Sequence, residues 1–191
     1  MIMSKKEQDM SERKIIGKML YTQEDITKRA KEIAAEIDKD YEGEELILLG
    51  TLKGSIPWFT DILKYTTADT KIDFITASSY GSTMTSSGIV KITFDPQINM
   101  YNKHVLIIED IIDTGNTLKY LKAKLEERGP KSVKVCAMLN KEPRRVADLH
   151  AEYVGFEIDD LFVIGYGLDY DQRFRGLPYI SYLEPSDVDA L

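Results

Sequence analysis

Residues 105–118 read Val105-Leu106-Ile107-Ile108-Glu109-Asp110-Ile111-Ile112-Asp113-Thr114-Gly115-Asn116-Thr117-Leu118, and this stretch decides the fold. Four apolar, mostly β-branched residues stop abruptly at two adjacent carboxylates. A third carboxylate follows, then a small-residue loop, then a helical pattern. The order predicts a buried strand closing at Ile108, an acidic strand end, a loop and a helix N-terminus. In open α/β sheets, ligands bind beyond the carboxyl ends of the strands. Unpaired N–H groups and the helix dipole favour a phosphate at such a helix start. Gly115 lets the backbone approach closely or take positive φ. Two adjacent carboxylates repel when desolvated, so they need different partners or a shared cation. The vicinal hydroxyls of a ribose suit them, as does Mg²⁺ held mainly through water and phosphate. The stretch points to an anionic sugar phosphate with a divalent metal, at the carboxyl edge of a parallel sheet.

Outward from this centre, strands and helices alternate. Thr22 reads as an N-cap with Asp25 three residues on, and Ile26, Ala30, Ile33 and Ile37 form one helical face. Leu46 to Leu49 is a short buried strand, followed by the turn Lys53-Gly54-Ser55 and a helix near Pro57 to Leu63. Lys71 to Ser78 reads as another strand. Ser79 to Gly88, rich in small hydroxylated residues, reads as a mobile loop between strand-like runs, a lid candidate within one domain. Leu118, Leu121 and Leu125 mark a helix that Gly129-Pro130 stops. Ser132 to Leu139 and Phe162 to Gly165 read as further strands, with a basic, polar loop at Asn140 to Arg145 and a tail ending near Pro185. The pattern is that of a doubly wound α/β sheet.

Composition bounds the function. The 191 residues suffice for one domain with a real core. Hydrophobic content of 43% with 30% charged residues is that of a soluble globular protein. A net charge of −7 disfavours a general nucleic-acid binder. Cys136 is the single cysteine, so no internal disulfide forms and a reducing compartment fits; its apolar setting marks it as a buried hydrophobe. Residues 1–14 are polar and mixed in charge, unlike a signal peptide, and read as a flexible N-terminus ahead of one domain over 15–191. No apolar run approaches the roughly 20 residues of a membrane span. A cytoplasmic protein is expected, with no membrane and no nucleic-acid partner. His104 and His150 lack metal-ligand spacing, and Trp58 reads as core or interface.

The segment IIEDIIDTGNTL resembles the phosphoribosyl pyrophosphate (PRPP) signature of the type I phosphoribosyltransferases, and its Glu-Asp-Ile-Ile-Asp-Thr-Gly core resembles the hypoxanthine (guanine) phosphoribosyltransferases. Further segments agree in order. LKGS at Leu52 to Ser55 resembles the family's pyrophosphate loop, and SSYGSTMTSSG its flexible lid. KEPRR at Lys141 to Arg145 and VGFEI at Val154 to Ile158 resemble its purine side. FVIGYGLDYDQRFRGLPYI at Phe162 to Ile180 resembles its C-terminal signature.

The resemblance implies a type I phosphoribosyltransferase fold: four or five parallel strands flanked by helices, with a small hood from both chain ends over the purine. It implies that a purine ring nitrogen displaces pyrophosphate from C1 of PRPP. Glu109 and Asp110 would hold the ribose hydroxyls and, with Asp169, Mg²⁺. Asp113 would lie near purine N7 as the catalytic base. Thr114, Gly115, Asn116 and Thr117 would cradle the 5′-phosphate. Lys53, Gly54 and Arg175 would grip pyrophosphate, at a loop whose peptide is cis in some family members. Lys141 would donate to a 6-oxo group, Phe162 would stack on the base, and Val163 and Asp169 would meet its edge. Ser79 and Tyr80 would anchor the lid. On its apolar setting alone, Phe162 reads as core.

The substrates so implied are PRPP and a purine base, in a homodimer or homotetramer. An RNA-binding regulator of the same fold is the alternative, which the acidic balance and the purine-side residues disfavour. A phosphoryl-accepting receiver domain is a third class; it is shorter and draws its acids from different strands.

Overall fold

The computed structural model describes residues 16–79 and 90–188. Its centre is a six-stranded sheet of order β4-β3-β2-β5-β6-β7. Five strands run parallel: β2 (Glu45–Thr51), β3 (Asp69–Ser79), β5 (His104–Ile112), β6 (Ser132–Asn140) and β7 (Tyr153–Glu157). The edge strand β4 (Val90–Phe94) pairs antiparallel with β3. A second, antiparallel sheet of order β1-β9-β8 joins the two ends of the chain: β1 (Lys18–Tyr21), β9 (Ile180–Leu183) and β8 (Phe162–Ile164).

Alternation along the central strands separates two cores. Leu46, Leu48, Leu106 and Ile108 face one side, where helices α1 (Gln23–Asp40) and α2 (Ile56–Tyr65) cover them. Ile47, Leu49, Val105 and Ile107 face the other, under α3 (Asn116–Glu126). Near-continuous apolar strands are what burial on both faces requires. α1 begins at a capping box: Asp25 N donates to Thr22 Oγ1 at 3.2 Å and Thr22 N donates to Asp25 Oδ2 at 3.0 Å. Its buried residues include the expected Ile26, Ala30, Ile33 and Ile37. Trp58 and Cys136 are fully buried, and burial pushes the Cys136 thiol up to about 12, which keeps it inert.

Three departures from the sequence reading have physical causes. β5 does not close at Ile108 but continues through both acids to Ile112. β6 extends to Asn140 and supplies ladder partners, pairing Glu109 with Ala137 and Ile112 with Asn140. β7 falls on VGFEI, where no strand was expected; it is a short edge strand of mostly half-buried residues with little apolar run to read. The tail turns into β9 and a short helix, α4 (Pro185–Val188). Residues 1–14 and the loop from Tyr80 to Gly88 lie outside the described residues.

Leu106, fully buried in the central strand, is a direct test of this packing. Leu106→Ala is expected to lower the unfolding free energy by about 2–5 kcal/mol, and Thr22→Ala by about 1 kcal/mol, both read by urea denaturation.

Candidate active site

The site starts where β5 loses a neighbour. β2 pairs with β5 only as far as Gly50 opposite Ile108, whereas β6 follows β5 to its end. Beyond Ile108, β5 is therefore bonded on one side only, and a cleft opens there. Thr51, Glu109, Asp113, Thr114, Gly115 and Thr117 are among its lining residues. The acidic strand end and the following loop thus share one cavity, as the sequence predicts.

Glu109 is half-buried and accepts from Thr51 Oγ1 at 2.8 Å and from the Asp110 N–H at 3.2 Å. Burial and the neighbouring Asp110 charge raise its carboxyl well above the usual range, against the smaller opposing pull of Thr51. Asp110 accepts from the Ile111 N–H at 2.8 Å, and its Oδ2 lies against Gly54. A Cβ built on Gly54 would collide with that oxygen, so only glycine lets the Lys53 loop approach the acid. The Leu52–Lys53 peptide in this loop is cis. A Cβ on Gly167, at φ +100°, would in turn strike the Gly54 carbonyl. The Lys53 loop is thus clamped between the β5 end and the Gly165–Gly167 turn.

That turn leads to Arg175. Its Nη1 donates to Gly167 O at 2.7 Å, and its Nη2 lies 2.7 Å from Asp169 Oδ1. Gln172 Oε1 accepts from both Lys53 Nζ at 3.4 Å and Arg175 Nη2 at 3.3 Å. Lys53 and Arg175, more than a hundred residues apart, thus share one amide oxygen, and Asp169 pairs with the arginine beside it.

The loop after β5 is held by its carbonyls. Thr114 O accepts from Val146 N and Ala147 N, both at 3.0 Å, and Arg145 Nη1 donates to Asp113 O at 3.2 Å. Gly115 takes φ +80° as the N-cap of α3. The N–H groups of Thr114, Gly115 and Asn116 donate to no backbone carbonyl among the described residues. A phosphate placed at this helix start would satisfy them. The Asp113 carboxylate faces Arg144, with Nε to Oδ1 at 2.9 Å.

On the other flank, Lys141 is buried; its N–H donates to Ile112 O at 2.9 Å and its Nζ lies 3.6 Å from Asp160 Oδ1. Val163 is buried in β8. Phe162 is not core, as its apolar setting alone would have it: it is 51% exposed, with its ring edge-on to Tyr170 at 5.8 Å between centroids. Alternation puts Val163 inward and Phe162 outward in the small sheet. Ser79 ends β3 opposite Val90; Tyr80 and the lid lie outside the described residues.

Sequence reasoning missed Thr51, Arg144, Arg145 and Gln172. Arg144 and Arg145 lay in the KEPRR motif without an assigned role. Thr51 earns its place through the β2–β5 register, and Gln172 through the fold of the C-terminal turn; neither carries a local signal.

Comparison with known proteins follows this geometry. Residues 17–171 match the phosphoribosyl transferase domain family. The chain belongs to that family. It is 44% identical to a hypoxanthine-guanine phosphoribosyltransferase of Bacillus subtilis, across 92% of this chain and 97% of that protein. It is 43% identical to a protein of the same name from Streptococcus mutans, across 88% of this chain and 94% of that one. A hypoxanthine phosphoribosyltransferase structure from Staphylococcus aureus superposes with a TM-score of 0.87 at 44% identity, covering 90% of this chain and 93% of that one. Phosphoribosyltransferase structures of this kind share the mostly parallel sheet described above. No helix among the described residues is long and apolar enough to cross a membrane.

The Glu109 shift has a measurable consequence in metal-free buffer. Its carboxyl holds a proton more tightly folded than unfolded, where the ordinary value is 4.5. As pH rises from there, the unfolded chain releases this proton first, and folding loses stability until the raised folded value is passed. Glu109→Gln lacks that loss. Its unfolding free energy, relative to the parent protein, is expected to increase as pH rises above the ordinary value of 4.5. A pH-independent difference would show that Glu109 is ordinarily ionised.

Proposed function

We propose that this chain is a purine-salvage enzyme: it transfers the 5-phosphoribosyl group from PRPP to a 6-oxopurine, hypoxanthine and also guanine, releasing pyrophosphate and the nucleoside monophosphate. The observation that carries this reading is the single cleft in which free helix-start N–H groups adjoin a desolvated acidic strand end. A sugar phosphate has both complements, hydroxyls for the acids and an anion for the amides.

The residues then divide the work. Thr114, Gly115, Asn116 and Thr117 bind the 5′-phosphate. Glu109 and Asp110 orient the ribose hydroxyls and stabilise the positive charge that develops on the ring as pyrophosphate departs. Lys53, Gly54 and Arg175 receive pyrophosphate, with the planar guanidinium suited to that anion. Phe162, half-exposed, stacks on the base, while the Val163 backbone and Asp169 meet its edge. Lys141, buried and donor-only, selects a 6-oxo acceptor; adenine would set its amino donor against the lysine and leave both unpaired. Asp113 accepts the N7 proton as the base becomes nucleophilic. The small sheet of β1, β8 and β9 serves as the hood, and Ser79 and Tyr80 anchor the lid that excludes water.

Mg²⁺ belongs to the same reading. Among the described residues no three carboxylate, histidine or cysteine side chains form a cage by themselves, so an ion here would need water and substrate oxygens as further ligands. The raised Glu109 beside Asp110 marks a place short of positive charge, so the residues fit a cation. Glu109, Asp110 and Asp169 would hold it, and the ion would supply charge compensation to the departing pyrophosphate. We also infer a homodimer or homotetramer, for which exposed Ile56, Ile72 and Phe94 offer apolar surface, and a cytoplasmic location, which suits the lone buried Cys136. No observation favours the RNA-binding alternative.

The test is a PRPP- and Mg²⁺-dependent assay over adenine, guanine, hypoxanthine and xanthine. Hypoxanthine and guanine are expected to react and adenine to fail. Asp113→Asn is expected to cut kcat about 100-fold or more with PRPP affinity kept. Undiminished turnover in that variant would remove Asp113 from the chemistry.

A further inference from the structure

The short 3₁₀ turn Glu142–Arg144 contains a residue to which no role has been given above. Arg144 N donates to Lys141 O at 3.1 Å, so the backbone of the arginine is tied to the purine-side lysine. Its side chain spans two acids from different parts of the chain. Nε lies 2.9 Å from Asp113 Oδ1, and Nη1 donates to Asp160 Oδ2 at 3.3 Å. Asp160 Oδ1 in turn lies 3.6 Å from Lys141 Nζ. A chain of four charged groups therefore runs from Asp113, after β5, to Lys141, after β6, and Arg144 touches it at three points.

The contact with Asp113 has an unusual character. Oδ1 is buried, and it takes no hydrogen bond among the described residues although the guanidinium is adjacent. With Oδ1 covered beside the guanidinium while the side chain as a whole stays nearly half-exposed, the accessible oxygen of Asp113 is Oδ2. A proton acceptor needs this combination: one carboxylate oxygen held in place and the other open to the incoming N–H.

We propose that Arg144 is a positioning residue of the transfer reaction: it holds Asp113 by Oδ1, leaving Oδ2 for the purine N7 proton, and, through Asp160, fixes its spacing from Lys141. The inference rests on the reading of Asp113 as base. A purine is a rigid plate, so its N7–H and its 6-oxo group meet their partners together only if acceptor and donor keep one separation. Arg144 and Asp160 set that separation from outside the cleft.

The test is steady-state kinetics of Arg144→Ala, Arg144→Lys, Asp113→Asn and the double variant Arg144→Ala/Asp113→Asn, with Asp160→Asn alongside. Arg144 is half-exposed, and its loss is not expected to unfold the chain. Arg144→Ala is expected to lower kcat about fivefold, the scale of a half-exposed ion pair, with KM for PRPP unchanged. Arg144→Lys restores part of the loss, because charge returns without the planar fork. In the Asp113→Asn background the alanine substitution costs nothing further, because the group it positions is already gone. Asp160→Asn raises KM for hypoxanthine about threefold and leaves KM for PRPP alone. Wild-type kcat in Arg144→Ala, or a loss that multiplies onto Asp113→Asn, overturns the role of Arg144 while leaving the base intact. An unchanged hypoxanthine KM in Asp160→Asn overturns the tie to Lys141. Wild-type turnover in Asp113→Asn overturns the base itself, and the positioning role with it.

Discussion

One strand losing one neighbour organises this molecule. β5 is the central strand, apolar and bonded on both sides up to Ile108, where its register with β2 ends. From Glu109 to Ile112 it is bonded to β6 alone. That half-free end exposes carboxylates that could not survive in the middle of a sheet, and it does so on a strand whose other half is locked in the core. Rigidity and access come from the same ladder. A site built on such an end holds its geometry better than one built on a free loop.

Electrostatics then explain why the second half of the chain must fold back here. Glu109 and Asp110 crowd negative charge at the strand end, and burial raises Glu109. The cations that answer are supplied from elsewhere: Lys53 from the loop after β2, Arg175 from the turn after β8, Arg144 and Lys141 from the segment after β6. In the structure these cations lean on Gln172, Asp169, Asp113 and Asp160. The Lys53 contact runs through a neutral amide and the Arg144–Asp113 pair is nearly half-exposed, so substrate oxygens can take these two over at small cost. Glycine makes the convergence possible at two places, Gly54 against Asp110 and Gly167 against Gly54, where any side chain would force the loops apart.

The sequence spoke clearly where a signal is local. The α1 capping box, the buried helix faces and the acid-to-glycine loop at 109–115 are written in adjacent residues, and the structure places them as read. It was silent where the cause lies across the sheet. Nothing near Glu109 says that β6 will carry the ladder past Ile108, so the local pattern reads as a strand ending there. Nothing near Thr51 says that its hydroxyl will bond Glu109, because that depends on register. Phe162 reads as core from its apolar neighbours; only the small sheet, with β9 beside it, turns the ring outward. Motif resemblance supplied the roles of Lys141 and Arg175, and it passed over Arg144, whose importance is visible only once three other segments surround it.

The central claim is that the amides and hydroxyls of 114–117 receive the phosphate of a phosphorylated pentose whose hydroxyls meet Glu109 and Asp110. Calorimetric titration of PRPP with Mg²⁺ into the parent protein and into Thr114→Ala/Thr117→Ala tests it most directly. The expected result is one site per chain, weakened about tenfold or more in the double variant as two neutral hydrogen bonds are lost, with the unfolding temperature little changed. Equal affinity for both proteins would place the pentose phosphate elsewhere and contradict this account of the β5 end.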